Sequence, residues 1–168
     1  LYNPGTGIPV YGLVVPIAPK PELETVGKNG QFFQLDEQEL DRLLAEQPAQ
    51  FLLKLPGAEG IPSEIVFHKK QVASPGFRLL DQDGRELSVS PGIHYRQTGA
   101  GSYKAAISIF ENQFSAIVAT ASGDYSLSEL TASPGEYILF KEDDLTEQEG
   151  PFTCTPLYPP GYAMPKYE

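Results

Sequence analysis

The chain is poor in the side chains that build disulfide and metal chemistry. It has one cysteine, Cys154, and two histidines, His68 and His94. One cysteine excludes an intrachain disulfide, and one thiol with two imidazoles cannot assemble the usual zinc sites of four cysteines, two cysteines with two histidines, or three histidines. The His-Glu-x-x-His helix that holds a catalytic zinc is missing as well. Basic residues are outnumbered, 12 against 22 acidic, for a net charge of −10. Such a balance opposes sequence-independent binding to phosphate backbones, so nucleic acid is not an expected partner. No apolar run approaches the ~18–20 residues of a membrane-spanning helix, and no membrane span is expected.

What is present fits one domain with extended ends. A folded chain of 168 residues buries roughly 70% of the surface its unfolded form exposes, enough for a core without staples. Residues 1–30 carry Pro4, Pro9, Pro16, Pro19 and Pro21 among five glycines. They read as a Pro/Gly-rich N-terminal arm in which Val10 to Ile17 forms at most an edge strand broken at Pro16. Residues 31–145 read as the β-rich domain, and residues 146–168, with five prolines between aromatic residues, as an extended tail.

A single helix is predicted. Asp36 is placed to cap it, Glu39 follows three residues later as in a capping box, Leu35, Leu40, Leu43 and Leu44 recur at helical spacing, and Pro48 stops it. From Gln50 to Phe140 the pattern is strand and turn. Phe51 to Leu55, Glu64 to His68, Phe77 to Leu80, Glu86 to Val89, Ile93 to Tyr95, Lys104 to Phe110, Phe114 to Thr120, Tyr125 to Leu130 and Tyr137 to Phe140 all read as strands. Asp83-Gly84 and Ser122-Gly123-Asp124 supply hairpin signals. The nearly continuous apolar stretch from Ala105 to Val118 reads as two strands joined at Glu111-Asn112-Gln113, at the centre of the sheet. The expected class is mainly β: an antiparallel sandwich or partly open barrel with one short amphipathic helix and extended Pro-rich terminal arms.

The chemistry-bearing residues are few. A nucleophilic Cys154 needs a base, yet His68 and His94 both fall in strand patterns and read as packed or surface strand residues. Gly99-Ala100-Gly101 lacks the third glycine and the helix of a dinucleotide loop and reads as a turn. The acids Glu142, Asp143, Asp144, Glu147 and Glu149 lack the spacing of a calcium loop and read as a solvated linker. No base, nucleophile and orienting group can be named together, so the chain is not expected to be an enzyme. Cys154 stands apart. A lone cysteine is ordinarily a small buried hydrophobe, but here it sits in Pro151-Phe152-Thr153-Cys154-Thr155-Pro156, outside the sheet region. A thiol on an extended segment is also a good soft ligand for a zinc with an open position.

Several segments together resemble a known family. His94-Tyr95-Arg96, Gly99, Gly101-Ser102, Ala105 to Phe110, Ala116-Ile117-Val118 and Gly123-Asp124-Tyr125-Ser126-Leu127-Ser128-Glu129-Leu130 are similar to the propeptide of reprolysin-like (adamalysin-type) zinc metallopeptidases, of the secreted bacterial, Bacteroidetes-like kind. The leucine-rich helix after Phe32-Phe33, the Leu53-Lys54-Leu55-Pro56 strand, Tyr137 to Phe140 and Asp143-Asp144-Leu145 extend the likeness. Gln97 and Ala116 stand where that family has glycine, and Thr155-Pro156 replaces the glycine after its cysteine.

The resemblance implies a non-catalytic prodomain, secreted or at the cell surface or periplasm, with its signal peptide removed or omitted. It would assist folding of a downstream metallopeptidase domain of the same precursor and keep it latent. Cys154 would be a zinc-directed cysteine switch, with Phe152, Thr153, Thr155 and Pro156 lying along the protease cleft. The chain itself would hold no cofactor; the zinc would belong to the protease. The alternative expectation is a secreted or surface β-sandwich module that binds protein or glycan through exposed tyrosines.

Overall fold

A computed structural model describes residues 7–19, 29–55, 60–87, 92–98 and 101–144. Its organising element is the apolar stretch around Glu111. β9 (Tyr103–Ile109) and β10 (Phe114–Thr120) pair antiparallel over seven residues each. Ala105, Ile107 and Ile109 alternate with Lys104, Ala106 and Ser108, so the first set is buried and the second lines the other face. The Phe110 amide donates to the Gln113 carbonyl, 2.8 Å away, and closes the turn between the two strands.

Outward from this pair the sheet grows to ten strands. On one side lie β11 (Gly123–Leu130), β12 (Ser133–Lys141), β3 (Gln31–Leu35) and β2 (Val14–Pro16); on the other lie β8 (Ile93–Gln97), β5 (Glu64–Lys70), β4 (Gln50–Lys54) and β1 (Val10–Tyr11). β9 and β10 are the middle pair, as the apolar pattern predicts. All neighbours are antiparallel except β1 with β4. The sheet curls into a half-barrel, in agreement with the mainly β class expected from the sequence. A separate two-stranded hairpin, β6 (Leu79–Leu80) and β7 (Glu86–Leu87), is inserted between β5 and β8.

Val10 to Ile17 forms edge strand, as its pattern allows, but in two pieces broken at Gly12-Leu13, with Pro16 ending the second. β1 and β2 form the opposite edges of the sheet although only Gly12 and Leu13 separate them in sequence. The segment therefore straps one edge to the other, and Tyr11 and Leu13 are fully buried. Val10, Tyr11, Leu13 and Val14 belong to the core, while Val15 and Pro16 face outward. Short strands broken by Pro and Gly look weak locally, but here both edges already exist and each needs only a few ladder hydrogen bonds.

Helix α1 (Glu37–Glu46) connects β3 to β4 and so also links the two sides of the half-barrel. Asp36 caps it by accepting from the Glu39 amide at 3.1 Å, and Gln47, in the left-handed region, ends it before Pro48. Only half of the expected capping box forms. The Asp36 amide donates to the Leu13 carbonyl at 2.9 Å, while the Glu39 carboxylate takes Arg42 and the Gly12 amide. The helix cap thus also anchors the strap. Leu40 and Leu43 point into one core with Phe33, Phe51, Phe67, Tyr95, Ile107 and Phe114. Phe32, Leu130 and Ile138 form a small second cluster on the outer face.

Candidate functional site

The hairpin is built by its turn. Asp81 Oδ1 accepts from the amides of Asp83 (2.9 Å) and Arg85 (2.8 Å), and the Gly84 amide donates to the Asp81 carbonyl at 3.0 Å. Gly84 takes a φ of +78°, where a β-carbon is unfavourable. The Asp83-Gly84 signal is therefore a turn as expected. Its strands are shorter than predicted, Leu79–Leu80 against Glu86–Leu87, and Ser88 and Val89 lie outside the described residues.

The side chains on this excursion are unusual. Seven large hydrophobics are exposed among the described residues, and five of them lie between residues 72 and 87: Val72, Phe77, Leu79, Leu80 and Leu87. Val72 is 65% and Phe77 58% exposed. A hairpin of two residues per strand is marginal in water, and the described structure covers its apolar groups only in part, leaving Leu79, Leu80 and Leu87 exposed. Exposed apolar side chains gathered in this way mark an interaction site.

Between the hairpin and the sheet lies a groove of about 890 Å³. Phe77, Leu79 and Leu87 form its hairpin wall, and Lys69, Lys70, Ile93 and His94 its sheet wall. Lys69 Nζ donates to Gln47 Oε1 at 2.9 Å, tying the groove margin to the helix end. His94 Nδ1 lies 2.9 Å from Ser108 Oγ, and its ring meets Phe110 edge to face at 6.2 Å. The groove therefore combines an apolar wall with three cationic groups, Lys69, Lys70 and Arg78, one imidazole and a single carboxylate, Glu86. Such a surface can hold an apolar side chain and an adjacent acidic or carbonyl group.

The candidate residues from the sequence fall in several places. Both histidines are strand residues, as their pattern indicates: His68 lies opposite Arg96 and His94 opposite Lys70. Gly101 lies just before β9, whereas Gly99 and Ala100 are outside the described residues. Of the acidic run, Glu142–Asp144 forms one 3-10 turn in which Glu142 accepts from Ser126 Oγ and Asp143 pairs with Lys141 at 3.2 Å. Glu147 and Glu149 lie outside, as do Phe152, Thr153, Cys154, Thr155 and Pro156, so the proposed switch and cleft-binding tail have no described geometry. The hairpin's exposure went unread in the sequence. The signal was the adjacent pair Leu79-Leu80 in a segment too short to alternate.

Five of the nine tyrosines fall among the described residues, and these five are not an exposed set. Tyr11, Tyr95 and Tyr137 are completely or almost completely buried, and Tyr103 and Tyr125 are partly buried against the same core. No group of three or more His, Cys, Asp or Glu side chains placed to hold a metal occurs among the described residues. No helix there is long and apolar enough to cross a membrane. No family model matches the chain, and neither does a curated protein or a solved structure.

Proposed function

We propose that this domain is a non-catalytic docking module, and specifically the prodomain of a secreted zinc metallopeptidase that follows it in a common precursor. The observation that carries the docking role is the hairpin insertion: five exposed large hydrophobics, four of them lining one groove, on a segment that the half-barrel does not need for its own core. A catalytic domain folding against this surface would cover it, which is how a prodomain both assists folding and holds its protease latent. The protease identity rests on the resemblance, and Cys154 on its proline-flanked tail is the group offered to the zinc. Binding as thiolate would displace the water that performs hydrolysis.

The test begins with the gene downstream of Glu168. A His-Glu-x-x-His helix there is expected; its absence leaves a docking module for another protein and removes the protease. With the mature enzyme in hand, micromolar addition of this chain in trans should inhibit it. Phe77→Ser with Leu79→Ser should weaken inhibition at least tenfold by removing the apolar anchor. Cys154→Ala should weaken it separately, and full inhibition by that variant would eliminate the switch while leaving steric blocking intact.

A further inference from the structure

We infer that the outer face of β5, β8, β9 and β10 is a second docking surface, one that takes an acidic segment of a partner polypeptide carrying an apolar side chain. Lys70 and His94 also line the hairpin groove, but Arg96, Lys104 and Ile117, on which the inference is tested, do not. The strand register lays out one continuous row across the sheet: Ser126 beside Ile117, Ile117 beside Ala106, Ala106 beside Arg96, and Arg96 beside His68. In the adjoining row Lys70 stands opposite His94. Lys104 faces the same side, paired with Ala119. Residues two apart on a strand share a face, so these side chains project together from the side opposite the core.

This gathering of bases is not explained by the fold. The cross-strand neighbours of Arg96 and Lys70 on β5 and β8 are imidazoles, His68 and His94, where a carboxylate would have paired the cation. The ion pairs among the described residues use Arg42, Arg85 and Lys141 as their cations, and none uses Lys70, Arg96 or Lys104. A chain of net charge −10 nevertheless concentrates these three cations on one face. Acids stand at the margins of the same face: Asp124 beside Ala119, Glu142 bonded to Ser126, and Glu64 beside Lys54.

The same face carries a shallow groove of about 510 Å³ lined by Arg96, Thr98, Lys104, Ala106, Ile117 and Ala119. Ala106 and Ala119 are small enough to leave a trough, and Ile117, 52% exposed, offers an apolar contact within it. Cations beside an apolar floor match a segment in which acidic and apolar side chains lie close together. A long polyanion is a poorer match because it would continue onto the acidic remainder of the domain. A short segment meets mainly the patch, since remote charges are screened beyond ~8 Å at physiological salt. Ile117 also gives nothing to a bare polyphosphate.

The test uses the full chain and a fluorescent peptide alternating glutamate and leucine, with fluorescence anisotropy as the readout. Saturable binding is expected, weakening as salt is raised. Arg96→Glu with Lys104→Glu should weaken it by about tenfold or more, Arg96→Gln with Lys104→Gln by less, and Ile117→Ser by about threefold. All three positions are exposed, so thermal melts should overlay that of the unaltered chain. Absence of saturable binding at millimolar peptide would overturn the inference. So would equal binding of the charge-reversed variant, of a glutamine-for-glutamate peptide, or tighter binding of inorganic polyphosphate. Self-association in sedimentation that is lost on the same charge reversal would make a second copy the occupant and overturn it too.

Discussion

The Arg42 guanidinium lies over the Tyr11 ring, 4.0 Å from its centre, and donates to the Val10 carbonyl at 2.7 Å. One side chain on the helix therefore holds the strap by its backbone and its aromatic face together. Glu39, paired with Arg42 at 2.8 Å, also accepts from the Gly12 amide, and Tyr11 donates its hydroxyl proton to Glu46. The hydrogen bond from Arg42 keeps the Glu39 carboxyl below its ordinary range, against the opposing effect of burial. Replacing Arg42 by Ala should cost about 1–3 kcal/mol, the combined loss of a charged hydrogen bond and a cation–π contact. Arg42→Lys should recover only part of this, because an ammonium has no plane that can donate to carbonyl and carboxylate at its edge while laying its face on the ring. Urea denaturation at neutral pH measures both; equal stability of the three proteins would show that the strap is held without this side chain.

Tyr95 presents the opposite case. Its ring packs edge to face on Phe51 at 4.8 Å, but its buried hydroxyl has no hydrogen-bond partner among the described residues. A desolvated, unpaired hydroxyl is a cost, and removing it while keeping the ring should remove that cost. Tyr95→Phe is expected to stabilise the fold by up to about 1 kcal/mol. A loss of more than that amount in urea melts would mean that the hydroxyl has a partner after all.

Buried tyrosines also set the alkaline limit. Burial pushes Tyr95 up to about 12. Burial likewise brings Tyr137 to about 12, although the Phe114 amide donating to its oxygen works the other way. Tyr11 is raised too, by burial first and then by Glu46. In the unfolded chain these phenols ionise near pH ~10. Between the unfolded and folded values the unfolded state binds fewer protons, so stability is complete below about pH 10 and falls as pH rises toward about 12. Tyrosinate absorbance should therefore rise in two stages, the buried phenols ionising together with loss of β circular dichroism. A single smooth titration with the fold intact would contradict this.

Much of the architecture was legible because its signals are local. Asp36, Pro48 and the leucine spacing define α1 to within a residue or so, and alternation from Ala105 to Val118 defines the central pair. Asp83-Gly84 marks the hairpin for the same reason. What could not be read is what depends on closure. Whether Val10-Tyr11 and Val14-Pro16 are strands is decided by two sheet edges more than 15 residues away in sequence, brought near each other only when the sheet curls. The exposure of Leu79 and Leu87 and the clustering of Lys70, Arg96 and Lys104 are likewise properties of register and of the curled sheet's two faces. Composition shows only their numbers.

The strap gives the sharpest stability prediction. Leu13 is fully buried between the two edge strands, packed in the same core as Leu35 and Leu40 from the other side of the connection. If Val10 to Pro16 were an arm resting on a finished domain, shortening its side chain would be nearly silent. Because the segment closes the half-barrel, Leu13→Ala should cost about 2–5 kcal/mol, the range for emptying a core leucine site. The same change at Val15, 52% exposed on β2, should cost under about 1 kcal/mol. Hydrogen exchange distinguishes the two outcomes further. In Leu13→Ala, the β9–β10 centre should lose protection only by the global cost, while β1, β2 and their partners β4 and β3, which also exchange through local opening of the strap, should lose more. Uniform loss across all strands would mean that the strap and the central sheet unfold as one unit.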